Sequence, residues 1–75
     1  MKSDLSPKEQ TNVRTALKFL RTRSGTWAAL ASALGFGETT LTNAAHAHTG
    51  VSARMAFRVA RLAKVGVDDV LAGRF

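Results

Sequence analysis

The chain has 75 residues, 11 Lys and Arg against five Asp and Glu, no cysteine and 45% apolar residues, giving a formal net charge of +6 and a sequence pI near 11.3. A chain of this length is read as one domain spanning residues 1–75, which buries only about 60% of its unfolded surface; without cysteine, disulfides and thiolate metal sites are excluded as braces, so a homodimer is expected to share the burden of stability. The charge points to a polyanionic partner, and the absence of a long apolar run after Met1, Lys2, Ser3 and Asp4 leads to the expectation of no leader, no membrane span and a cytoplasmic location.

The first helix is announced by Ser6, Pro7 and Glu9. Ser caps the N-terminus, Pro fits the first helical position, and Glu three residues after the cap closes a capping box. Val13, Ala16, Leu17 and Leu20 form its inward stripe with Phe19 at the flank, while Arg14, Lys18 and Arg21 recur at spacings of four and three on the other side. Ser24 and Gly25 end this helix, and Thr26 is placed to cap the next.

From Trp27 the spacing predicts a helix whose inner face is Leu30, Ala31 and Leu34, closed by Gly35, where a residue without Cβ enters a left-handed turn cheaply. Phe36 fills the corner. A second short helix, over about 38–48, has Leu41, Ala44 and Ala45 on its inner face and Glu38, Thr39, Thr42, Asn43 and His46 pointing outward. Two short helices joined by a tight turn, with Ala31 small at their crossing, fit a helix-turn-helix with its core at 26–48; periodicity alone also fits a generic αα-hairpin in a helical bundle.

Thr49 and Gly50 break the chain, Ser52 caps a fourth helix, and Val51 is placed to staple against Ala56. Met55, Ala56, Val59, Ala60, Leu62 and Ala63 supply that helix with a broad apolar face, and Arg54, Arg58 and Arg61 form a second basic stripe. Gly66 separates a last short helix with Asp68 and Asp69 near its N-terminus, where the helix dipole favours them, and with Val67, Val70 and Leu71 packing back before Gly73. No alternation of period two appears, so the expected fold is all-α with five helices. Between Gln10 and Val67 the one acid is Glu38, against Arg14, Lys18, Arg21, Arg23, Arg54, Arg58, Arg61 and Lys64, a field suited to phosphates.

From about Thr26 to Gly73 the chain resembles, without gaps, the DNA-binding domains of the phage repressor and Cro family, the lambda-repressor-like helix-turn-helix proteins. Besides the motif itself, VARLAKVGVDDVLAG is similar to the family's closing segment, in which an apolar helix with a buried alanine, here Ala60, leads into a final helix ending in Leu71 and Gly73. The resemblance implies a compact five-helix domain, usually dimeric, that binds operator double-stranded DNA as a repressor or regulator. It implies base contacts from Glu38, Thr39, Thr42 and Asn43, and phosphate contacts from Trp27 and the loop around His48 and Thr49. Where relatives often carry glutamate this chain has Ala45, so an internal ion pair with the first helix is not expected. The loop after the third helix carries little fixed charge, which passes phosphate binding to Arg54, Arg23 and the end of helix one, with His46 beside them.

The chemistry of these side chains agrees in kind. Asn can pair bidentately with adenine, Thr can donate to acceptors or touch a thymine methyl, and Glu can accept from cytosine. Trp27 has the spacing of a core-edge residue whose indole N–H remains able to reach a phosphate. His46 and His48, two residues apart with no cysteine or nearby carboxylate, do not make a metal site, and no nucleophile with a base, Gly-rich loop or carboxylate pair suggests an enzyme or a cofactor. The leading expectation is a sequence-specific DNA-binding regulator, a dimer through the C-terminal helix with Val67, Val70, Leu71 and Phe75. The alternatives are a protein-interaction module of the same fold, such as an antitoxin or a transcription adaptor, and non-specific nucleoid binding by charge.

Overall fold

Helix α1 (Pro7–Ser24) starts as the capping box dictates. The Glu9 N–H donates to Ser6 Oγ at 3.2 Å and the Ser6 N–H donates to Glu9 Oε1 at 2.9 Å. Four further helices follow: α2 (Trp27–Leu34), α3 (Glu38–Ala45), α4 (Ala53–Ala63) and α5 (Val67–Ala72). This computed structural model describes residues 4–75, which contain no strand; residues 1–3, part of the expectation about a leader, lie outside the described residues. No helix is long and apolar enough to cross a membrane, among the described residues.

The core gathers one stripe from every helix. Val13, Ala16, Leu17 and Leu20 of α1 meet Leu30, Ala31 and Leu34 of α2, Leu41, Ala44 and Ala45 of α3, Met55, Ala56, Val59 and Ala60 of α4, and Val70 of α5. Val51, next to the Ser52 cap, is fully buried with Ala56, as a hydrophobic staple requires. Trp27, Phe36 and Leu71 close the margins, half-buried.

Four of the five helices end in the same way. The N–H two residues past the cap reaches back to a carbonyl five residues earlier, as Phe36 to Ala31 at 3.0 Å, His48 to Asn43 at 2.8 Å, Val65 to Ala60 at 3.1 Å and Arg74 to Asp69 at 2.7 Å. Each of these Schellman turns needs one left-handed residue. Gly35 serves at φ 77°, whereas Ala47 at φ 63° and Lys64 at φ 60° serve against the steric preference of their Cβ atoms.

Several expectations change here. Helix α3 stops at Ala45, not near 48, because the left-handed turn at Ala47 captures the carbonyls that a further turn of helix would use. Leu62, expected on the apolar face of α4, is exposed and Ala63 is half-buried, while Phe19, at the flank of the α1 stripe, is exposed. The buried arc of α4 is centred on Met55, Ala56, Val59 and Ala60, which leaves Leu62 on its rim. Val70 is fully buried within the subunit, so it is no part of an outward dimer surface; Phe75 remains exposed, and Val67 and Leu71 are half-buried.

Arg14 and Arg58 are the largest departures. Both are half-buried and bonded to backbone carbonyls, so neither belongs to an outward basic stripe. Arg58 Nη1 donates to Leu34 O at 2.9 Å, and its guanidinium lies 5.4 Å from the Phe36 ring centroid. A Cβ on Gly35 would lie 2.5 Å from that nitrogen, so Gly35 is required both for its φ and for space. Gly35→Ala is therefore expected to lower the thermal midpoint by more than Gly25→Ala, whose Cβ would meet nothing within 4 Å. Lys64→Gly is expected to raise it by a few degrees, since a left-handed L-residue costs roughly 1–2 kcal/mol and glycine's extra chain entropy offsets only part of that. Thermal unfolding followed by circular dichroism measures all three variants.

Candidate nucleic-acid interface

The eight residues of α3 divide by angle. With Leu41, Ala44 and Ala45 buried, an advance of about 100° per residue puts Thr39, Asn43 and the capping residue His46 nearest the outward direction. Thr42 lies to one side, and Glu38 and Thr40 lie on the two flanks. Glu38, Thr39 and Thr40 are exposed; Thr42 and Asn43 are half-buried. Thr40 is absent from the expected contact set although it lies nearer the outward direction than Glu38, which the same spacing could have revealed.

The polar groups on this face are not equally available. The Thr42 hydroxyl donates back to Glu38 O at 3.0 Å and approaches Thr39 O at 3.1 Å, so its hydrogen is held by the helix and its methyl and lone pairs face outward. The Asn43 side-chain amide has no partner among the described residues, which leaves both its donor and its acceptor for another molecule. Its backbone carbonyl anchors the loop, accepting from the His48 N–H at 2.8 Å and the Thr49 N–H at 3.3 Å.

At the other end of the face, Trp27 at the start of α2 meets His46 edge to face, with ring centroids 5.7 Å apart, and His48 follows at 6.4 Å. The rings therefore tie the N-terminus of α2 to the C-terminus of α3. Trp27 is half-buried, and its indole N–H is unpartnered among the described residues. His46, His48 and Thr49 are exposed, as are Arg23 at the end of α1 and Arg54 in the first turn of α4. Arg23 stacks 5.9 Å from the Phe19 centroid, four residues from Trp27 in the chain.

The loop after α3, short of charge in its own sequence, sits on a cation from elsewhere. Arg14 Nε donates to Ala44 O at 2.8 Å and Arg14 Nη2 to Thr49 O at 3.1 Å. The guanidinium takes up one carbonyl at the negative end of the α3 dipole, where a cation is favoured, and a second in the loop that follows. Ala45 is buried and carries no carboxylate, so the link between α1 and α3 runs through backbone carbonyls in place of an ion pair. No group of three or more His, Cys, Asp or Glu that can hold a metal ion occurs among the described residues.

No family model, curated protein or solved structure matches this chain. What the fold and the face define by themselves is an all-α domain of five helices with an outward helix of small polar side chains, flanked by a Trp–His cluster and by the fixed cation of Arg14.

Arg14→Met keeps the aliphatic stem and removes both charge-assisted hydrogen bonds, so a loss of roughly 1.5–3 kcal/mol is expected in urea denaturation. Amide exchange at His48 and Thr49 should accelerate in that variant more than exchange at Leu30 or Ala31. Equal acceleration at both places would mean that Arg14 supports the whole core and not the loop.

Proposed function

We propose that this protein is a sequence-specific double-stranded DNA-binding regulator, acting as a transcriptional repressor, in which α2 and α3 form a helix-turn-helix and α3 enters the major groove. The observation that carries this reading is the α3 face: short polar side chains centred on Thr39 and Asn43, on a helix held from behind by Leu41, Ala44, Ala45 and Arg14. An α-helix of this width fits the major groove, and an asparagine amide without an internal partner is suited to adenine N6 and N7. Glu38 accepts from cytosine at the edge of the reading set, and Thr42 offers its methyl to thymine. Phosphates are contacted by Trp27, Arg23, Arg54, His46, His48 and Thr49, with the charge of Arg14 beneath the loop.

A protein-binding role for α3 itself is disfavoured by composition, because protein hot spots are enriched in Trp, Tyr and Arg and the residues of α3 include none of these. The reading is instead of a homodimer on a palindrome, joined through α5 with Phe75, Val67 and Leu71, placing half-sites about 34–36 Å apart.

Selection from a random duplex library at about 0.15 M salt, where surface charges are already substantially screened, tests this reading directly. Enrichment of a palindrome is expected, with Asn43→Ala relaxing the preference at one base pair of each half-site by about 1–3 kcal/mol. If roughly six phosphates are neutralised, log affinity falls against log salt with a slope near −5. Recovery of no sequence above background would overturn the reading. The single tryptophan provides a second measurement: Trp27 emission should change on adding the selected duplex, and an unaltered spectrum at saturation would place Trp27 outside the interface.

A further inference from the structure

Helix α4 carries a surface that DNA binding through α3 leaves unused. Phe57 is 56% exposed and Leu62 is 38% exposed, and at about 100° per residue they lie on either side of Arg61 on the outer face of the helix. Beside Leu62 an open groove of about 480 Å³ runs between α4 and the end of α2, lined by Ala33, Leu34, Arg58, Arg61 and Leu62. Arg58 is fixed at this groove by its bond to Leu34 O, so one cation is already oriented. Arg61 is exposed and without a carboxylate: the one ion pair among the described residues joins Arg74 to Asp69.

This composition suits a protein better than a phosphate backbone. Exposed phenylalanine and leucine contribute nothing to phosphate contacts, whereas aromatic side chains with arginine are the residues enriched in protein interfaces. The location agrees. Arg61 lies about 10 Å along α4 from Arg54, and Leu34 about 10 Å along α2 from Trp27, so the groove is at the opposite end of both helices from the residues assigned to phosphates. A second copy of the chain is a poor occupant. Asp4 is bound to the Ala53 N–H, Glu9 to the Ser6 N–H and Asp69 to Arg74, which leaves Glu38 and Asp68 on separate helices and no row of acids to meet these arginines.

We propose that the outer face of α4 and the adjoining α2 groove form a second docking surface, for an acidic amphipathic helix of a protein partner. Its leucine-type anchors pack on Leu62 and Ala33 and reach Phe57, with Leu34 buried beneath them, and its carboxylates take Arg61 and the free edge of Arg58, since guanidinium binds carboxylate bidentately. The proposal is independent of the DNA reading: a chain that fails to bind DNA can still hold this partner.

The test is a ¹H–¹⁵N titration of the full chain with a synthetic helical peptide carrying leucines at i, i+4 and i+7 flanked by glutamates, beside a control with lysine for every glutamate and a separate titration with duplex DNA. Shifts are expected at Ala33, Leu34 and residues 57–62 with the glutamate peptide and not with the lysine one. Phe57→Ser and Leu62→Ser, both on the surface, should each weaken the peptide about tenfold while leaving duplex affinity within twofold, and Arg61→Glu should abolish peptide binding with helical content retained. Shifts centred on α3, equal response to the lysine peptide, displacement of the peptide by duplex, or no shifts at millimolar peptide would each overturn it. Concentration-dependent self-association lost in Phe57→Ser would also overturn it, by making the occupant a second copy.

Discussion

An α-helix leaves its last four carbonyls without intrahelical partners, and in a helix of eight residues that is half of its length. Helices α2 and α3 are both eight residues long and α5 has six, so the arrangement of this domain depends on how their C-termini are satisfied. Backbone turns supply part of the answer and side chains from longer helices the rest. Arg58 of α4 donates to the end of α2, Arg14 of α1 to the end of α3, and Asn12 of α1 to Leu71 O in α5 at 2.8 Å. Each bond spans a large separation in sequence, so each also fixes the angle between the helix it comes from and the helix it caps.

The exposed face of α3 takes its orientation from these constraints. Leu41, Ala44 and Ala45 hold the helix against the core, and alanines at two of those positions let it approach closely. Arg14 then pins the exit of the helix, and the Trp27–His46 contact pins that same exit to the entry of α2. What remains outward is a set of short polar side chains on a rigid support, which is the condition under which small groups can discriminate between ligands.

Charge in this molecule performs two separate tasks. Arg14 and Arg58 are structural: half-buried, without carboxylate partners, and stabilised by carbonyls at the negative ends of short helices. Lys18, Arg21, Arg23, Arg54 and Arg61 are exposed and available to partners. The net charge of +6 therefore overstates the field offered to a polyanion on the surface, yet Arg14 restores part of it beneath the loop that its own sequence leaves nearly neutral.

Local rules were enough to read the five helices from the amino-acid sequence, because their signals lie within a few residues of one another: the Ser6–Glu9 box, Thr26 and Ser52 as caps, Gly35 as a stop, and apolar stripes at three and four. The centre of the outward face of α3, Thr39, Asn43 and His46, was legible for the same reason, since an angle along one helix needs only spacing, whereas Glu38 and Thr42 lie off that centre. The end of α3 was not, because Ala47 adopts a left-handed conformation that alanine disfavours and that only the surrounding bonds sustain. Nor were the roles of Arg14, Arg58 and Asn12 legible. Spacing places a side chain on a face but does not say which neighbouring helix covers that face, and a bond from Arg14 to Ala44 spans 30 residues. The sequence by itself thus determined which segments are helical and which of their residues are apolar on one side; the tertiary structure alone decided which cations are half-buried as caps and which remain exposed, because that depends on where the carbonyl ends of other helices come to lie.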